Sequence, residues 1–317
     1  MNILRGAVRA DRKDRRLAKV TVTSPDSKHS IVVILENVSD DQYSLISRFL
    51  FERLAAGDKA FDAIAATFVK AIRLCPDANP SDLWRYLVYR PYLSQRSDQS
   101  WKRAGGQGLE VFFVNYYNPL FQKHGIKLVW LSRAGATTAF SEMGIVDRVG
   151  RSKLDIALIG RCSDGAWRVF GGAHVKASLA ERISDDVPAS VAMQEKGYFT
   201  PLLTLDMKAF PPPHGDEVNR GELQFPQRPG EQSDKRNYFE RDGLFSCCYS
   251  YNQRTPPTPE GSHAKAKIKT LYFSEDSTDC FMDDTILAWN SAKTLLCSQM
   301  EPTALVRADL FGGSSEI

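Results

Sequence analysis

Two apolar runs joined by a short polar turn constrain this chain more than any other feature. Residues 154 to 160 (LDIALIG) and 167 to 176 (WRVFGGAHVK) flank Arg161-Cys162-Ser163-Asp164-Gly165-Ala166. An Asp-Gly pair readily takes the left-handed backbone of a tight turn, so the runs are predicted to be the two strands of one hairpin. From about residue 107 onward, apolar runs alternate with helical patterns, as in a mixed sheet covered by helices.

The segments around the hairpin fill in an α/β architecture. Leu109, Phe113, Tyr116 and Leu120 mark one face of a helix that stops at Gly125, and IKLVWL (126 to 131) follows as a strand. After the hairpin come a helix over about 188 to 196 ending at Gly197, a strand over 198 to 208, a strand near 267 to 273 and a helix from about Asp283 to Cys297. The stretch from 211 to 262 is rich in Pro, Gly and charge, and is predicted to be a long functional or mobile loop.

Upstream, residues 1 to 25 form a basic arm, and Arg5, Arg9, Arg12, Lys13, Arg15 and Arg16 are a set suited to phosphate contacts or to a solvated tail. IVVILENV (31 to 38) reads as a strand, with Ser39-Asp40-Asp41 as a helix start. Tyr43, Ile46, Phe49 and Leu50 recur at helical spacing. Gly57 interrupts the pattern, Phe61, Ile64, Phe68 and Ile72 resume it, and Asp82 to Tyr89 gives a further short helix before Pro91. The chain divides into a basic arm and helical region over 1–95 and an α/β domain over 96–317.

Charge does not name a partner. The net charge is +3, from 41 basic and 38 acidic residues, so binding to a polyanion has to be argued from a site. The first 19 residues carry seven basic side chains with no apolar run behind them, and no later stretch is apolar enough to span a bilayer, which predicts a cytoplasmic protein. Six cysteines show no CxxC and five histidines no HxxxH, so neither zinc nor a disulfide is expected. Trp84, Trp130 and Trp289 fit apolar faces, whereas Trp101 stands beside Lys102 and Arg103.

Asp155 lies at the start of one hairpin strand and Lys176 at the end of the other. Such ends converge, placing a carboxylate and an ammonium group where a metal and a scissile phosphate can meet. Each residue also has a plain reading. Lys176 suits a solvated strand end, and Asp185 and Asp186 before Pro188 suit a helix N-terminus. Glu110 suits a solvent-facing neighbour of Leu109, Glu181 with Arg182 a surface ion pair, and His174 a packed strand residue on the face of Lys176.

Residues 174 to 190 (HVKASLAERISDDVPAS) and 105 to 126 (GGQGLEVFFVNYYNPLFQKHGI) resemble the CCGG family of type II restriction endonucleases, nearest its AgeI and BsaWI branch, within the PD-(D/E)XK superfamily. The resemblance covers roughly 100 to 210. It implies a PD-(D/E)XK core, with Glu110, Asp155, Lys176 and Asp186 as catalytic residues and Asp155, Asp186 and Glu110 toward Mg2+. The residue that would complete the usual D/E-x-K tripeptide is His174, so the second carboxylate must be displaced past the lysine. Asp185 and Asp186 are the candidates, with Glu195 a third. Family recognition residues correspond to Ala180, Glu181 and Arg182, where arginine can read guanine and a carboxylate can read cytosine in the major groove. Arg103 and Asp185 are further candidate DNA contacts.

The implied activity is Mg2+-dependent cutting of both strands of a short palindromic duplex with a CCGG or CCNGG core, leaving 5′-phosphate ends, by a homodimer on double-stranded DNA. A structure-specific repair nuclease of the same fold and a non-catalytic DNA-binding module remain the alternatives.

Overall fold

The computed structural model describes residues 17–23, 30–93, 100–149, 153–179, 183–208, 219–225, 234–273 and 278–298. The basic residues from Arg5 to Arg16, the Ala180-Glu181-Arg182 segment and the side chain of Trp101 lie outside them.

The chain opens with a hairpin of β1 (Leu17–Thr23) and β2 (Ser30–Ser39), so the expected basic arm gives way to a strand at Leu17. Ala18, Val20 and Val22 of β1 alternate with Lys19, Thr21 and Thr23, a pattern that basic neighbours obscured. Ser39 then caps α1 (Asp40–Ala55) in a reciprocal capping box with Gln42, where the sequence placed a helix start. Next are α2 (Ala60–Leu74), α3 (Pro80–Asp82), a π-helical stretch Leu83–Tyr89 and α4 (Arg90–Leu93). The run continues through Pro91 to Leu93, beyond the end expected at Tyr89.

The long helix α5 (Ser100–Phe121) passes through one 3₁₀ turn to Gly125, and β3 (Ile126–Trp130) follows. Two helices not foreseen in the sequence come next, α6 (Arg133–Glu142), capped by Ser132, and α7 (Val146–Val149). The hairpin is β4 (Ile156–Arg161) and β5 (Trp167–Lys176). The remaining elements are α8 (Ile183–Glu195), β6 (Pro201–Thr204), α9 (Asp234–Glu240), β7 (Cys247–Ser250), β8 (Ile268–Thr270) and α10 (Cys280–Cys297).

Strands β3 to β8 form one mixed sheet in sequence order, antiparallel from β3 to β5 and parallel from β5 to β8. Two expectations are corrected here. The strand predicted over 198 to 208 is only Pro201–Thr204, preceded by a single bridge from Phe199 to Gly171. The predicted loop over 211 to 262 contains α9 and β7, and β7 lies fully buried between β6 and β8. Cys247-Cys248-Tyr249-Ser250 has neither the alternation of a half-exposed strand nor the aliphatic run of a buried one, so only its sheet partners define it.

Alternate residues feed opposite faces of the sheet. Ile156 and Leu158 join a core with α1, α2, α5 and α10, while Ala157 and Ile159 face a second core with α6, α7 and α8. Trp84 and Trp289 are buried as expected. A Cβ at Gly160 would lie 2.3 Å from the Trp289 ring, so a strand residue without a side chain is needed for α10 to dock on the hairpin. That docking overturns the expectation of no disulfide: Cys162, just after β4, is bonded to Cys297 at the end of α10, 135 residues away. No local spacing announces a pair that tertiary packing alone brings together. Among the described residues, no helix is long and apolar enough to cross a membrane.

Candidate active site

The site forms where β5 outruns β4. The β4–β5 pairing ends at Ile156 opposite Ala173, while His174, Val175 and Lys176 continue in register with Leu202, Leu203 and Thr204 of β6. Asp155, which precedes β4 instead of lying within it, occupies the place of the missing β4 partner. Its Oδ2 accepts the Val175 backbone N–H at 2.8 Å. Val175 packs in the larger core, so His174 and Lys176, one residue to either side, face the layer that holds α8.

Helix α8 begins at Ile183, five residues before the expected start, with Pro188 inside it. Asp185 and Asp186 therefore lie in its first turn, where negative charge is favoured. The helical turn separates them sharply: Asp186 is buried and Asp185 is exposed. Lys176 Nζ stands 2.7 Å from Asp186 Oδ2 and 3.4 Å from Asp155 Oδ2. His174 Nδ1 is 3.6 Å from the same Asp186 oxygen. Burial alone would lower the Lys176 pKa, but the adjacent Asp155 and Asp186 charges outweigh it and hold the ammonium form well above its ordinary range.

Glu110 approaches from α5. Its Oε2 accepts a hydrogen bond from the Trp130 indole at 2.7 Å, giving this partly buried tryptophan a polar role that its apolar neighbours did not reveal. Burial, reinforced by the Asp155 charge, pushes the Glu110 carboxyl up to about 8, against the opposing effects of Trp130, Lys176 and Lys153. Arg103 is exposed on α5, two turns before Glu110 and on the same helix side. Glu195 is at the far end of α8, exposed and paired with Arg148, away from the cluster.

Asp155, His174 and Asp186 offer donor atoms within 4.8 Å of one another, the composition and scale of a divalent-cation site. Two carboxylates against one ammonium leave a net negative charge in a buried place, and both nitrogens of His174 lack a hydrogen-bond partner among the described residues. Both features fit a cation. Glu110 stands outside this trio, engaged with Trp130.

No local motif marks the anchor beside the site. Asp206, two residues past β6, is buried, and its carboxylate accepts from the backbone of Glu222 at 2.7 Å and from Thr255 Oγ1 at 2.6 Å. Gly221, at φ +86°, passes so close that a Cβ there would meet Asp206 Oδ2 at 2.2 Å. This clamp holds residues 219–225 near Ser178, whose Oγ is 3.4 Å from Glu222 Oε1.

A hairpin whose aspartate and lysine meet a carboxylate on the following helix, on a mixed sheet between helical layers, is the arrangement expected of a PD-(D/E)XK nuclease core whose second carboxylate is displaced past the lysine. A family model for the BsaWI type 2 restriction endonuclease matches residues 129–277. The type II restriction enzyme AgeI of Thalassovita gelatinovora is 48% identical over 245 residues, covering 73% of this chain and 87% of that enzyme. The crystal structure of a specific AgeI–DNA complex matches with a TM-score of 0.78 at 41% identity, over 86% of this chain and 99% of that one. A pre-specific BsaWI–DNA complex matches with a TM-score of 0.41 at 17% identity, over 80% and 94%. The chain belongs to the CCGG family of type II restriction endonucleases, alongside AgeI, and is a site-specific deoxyribonuclease. The reading as a non-catalytic module is thereby set aside.

Proposed function

We propose that this enzyme hydrolyses both strands of a short palindromic DNA duplex with a CCGG or CCNGG core, using Mg2+ and leaving 5′-phosphate and 3′-hydroxyl ends. The observation that carries the reading is Lys176 Nζ held between Asp155 and Asp186 at the strand end. Asp155 and Asp186 are the carboxylates that would hold the cation. When bound, a divalent cation lowers the pKa of a coordinated water and neutralises charge developing on the phosphoryl oxygens.

The protein's own groups set the rest. Lys176, between the two carboxylates, donates hydrogen bonds that orient the attacking water and stabilise the crowded phosphorus centre. Asp155 is fixed by the Val175 N–H, so its carboxylate needs little rearrangement to ligate. Glu110, from α5, polarises the site from beside Asp155.

Specificity is assigned to Glu181 and Arg182, outside the described residues, with the exposed Arg103 and Asp185 as further DNA contacts. A two-fold palindrome calls for two copies of the site, hence a homodimer on double-stranded DNA. A catalytic region over 96–317 and a cytoplasmic location complete the reading. In a reducing cytoplasm Cys162 and Cys297 would be thiols, with α10 still docked through Trp289.

The test is digestion of phage DNA with Mg2+ and sequencing of the fragment ends. Ends at one CCGG- or CCNGG-containing palindrome, ligatable as 5′-phosphates, are the expected result; ends at a palindrome lacking that core, or cuts governed by DNA structure, would overturn it.

A further inference from the structure

The best-buried polar side chain of the site is the one with no assigned task. His174 is 0% exposed, and neither ring nitrogen has a hydrogen-bond partner among the described residues. Unpaired polar atoms so deep are costly and call for a missing partner. The Phe245 ring packs edge-on against the imidazole, with centroids 5.5 Å apart, and helps to fix its orientation. Nδ1 points toward Asp186 Oδ2 at 3.6 Å, beyond hydrogen-bond distance. Two donors sharing one ion at about 2.1 Å each stand roughly 3 to 4.2 Å apart, which matches this gap.

We infer that His174 is a third ligand of the divalent ion, giving an imidazole nitrogen at the strand position where the usual tripeptide supplies a carboxylate. The inference rests on the proposal that Asp155 and Asp186 hold a cation. His174 and Lys176 alternate along β5 toward α8, so the backbone that aims the lysine also aims the imidazole. The exchange removes one negative charge and one hard oxygen donor. Mg2+ depends on both, whereas imidazole suits later transition metals. The site therefore favours Mn2+ and Co2+ over Mg2+ more strongly than an all-carboxylate site of the same shape.

The test is Mn2+ binding to the intact, metal-free protein, alone and with an uncleavable duplex, followed by pulsed electron paramagnetic resonance. The expected result is a tight Mn2+ with directly coupled ¹⁴N, replaced by ¹⁵N coupling when histidine is labelled, and lost with the ion in Asp155→Asn. His174→Asp, an oxygen donor at the same place, should raise the Mg2+-to-Mn2+ affinity ratio about tenfold or more. The spectrum of the unaltered protein decides the matter even if that variant folds poorly. A tight Mn2+ that depends on Asp155 but shows no nitrogen coupling overturns the role of His174 and leaves the metal reading standing. Absence of tight Mn2+ under both conditions overturns both.

Discussion

Lys176 and Asp186 face each other at 2.7 Å although they come from different elements, the last residue of β5 and the first turn of α8. The contact links the hairpin to the helix that follows the segment carrying Glu181 and Arg182.

Replacing Lys176 with alanine should reduce single-turnover cleavage roughly a hundredfold or more, since a charge-stabilising donor is lost. Mn2+ affinity should be retained, because the carboxylates remain.

The adjacent aspartates should separate cleanly. Asp186 is buried against Lys176, and Asp185 is exposed. Asp186→Asn should abolish cleavage and tight metal binding. Asp185→Asn should retain the chemical rate and alter at most affinity for DNA. Parallel cleavage and metal titrations of the two variants measure the split.

Asp206 gives a pH signature in stability. Its carboxyl is raised from 3.8 to about 7, chiefly by burial, against the hydrogen bonds from Thr255, Glu222 and Leu223. The folded chain keeps this proton where the unfolded chain has released it. The stability it contributes is thus complete below the unfolded pKa and lost as pH rises through the folded one. Between about pH 4 and pH 7 the metal-free enzyme should lose more stability than Asp206→Asn, which also tolerates the left-handed backbone at this position (φ +43°). Thermal melts of the two proteins across that range, in EDTA, check the difference; parallel curves would contradict it.

The Cys162–Cys297 bond closes a loop of 135 residues. Under oxidising conditions Cys297→Ser should cost about 2 to 4 kcal/mol in unfolding free energy. In excess reductant the variant and the parent should denature alike, and neither condition should change the chemical step, since the bond lies at the turn end of the hairpin, away from Lys176.

Much of this was legible in the sequence because it depends on local chemistry. The Asp164-Gly165 turn fixes the hairpin, period-2 alternation puts His174 and Lys176 on one side, and Ser39 marks the start of α1. What was hidden depends on distant partners. β7 is a strand only because β6 and β8 flank it, and Cys297 meets Cys162 only once Trp289 has docked over Gly160. Pro188 obscured the true start of α8, and with it the burial that distinguishes Asp186 from Asp185. Trp130 looked like core alone until the fold set its indole against Glu110.

The most direct test of the central claim compares the intact enzyme with Asp155→Asn on phage DNA, with Mg2+ and with EDTA. Discrete fragments from the intact enzyme in Mg2+, and none from the variant or in EDTA, are the predicted result. Equal fragmentation by Asp155→Asn, or undiminished cutting in EDTA, would contradict a metal-dependent site built on Asp155, Lys176 and Asp186.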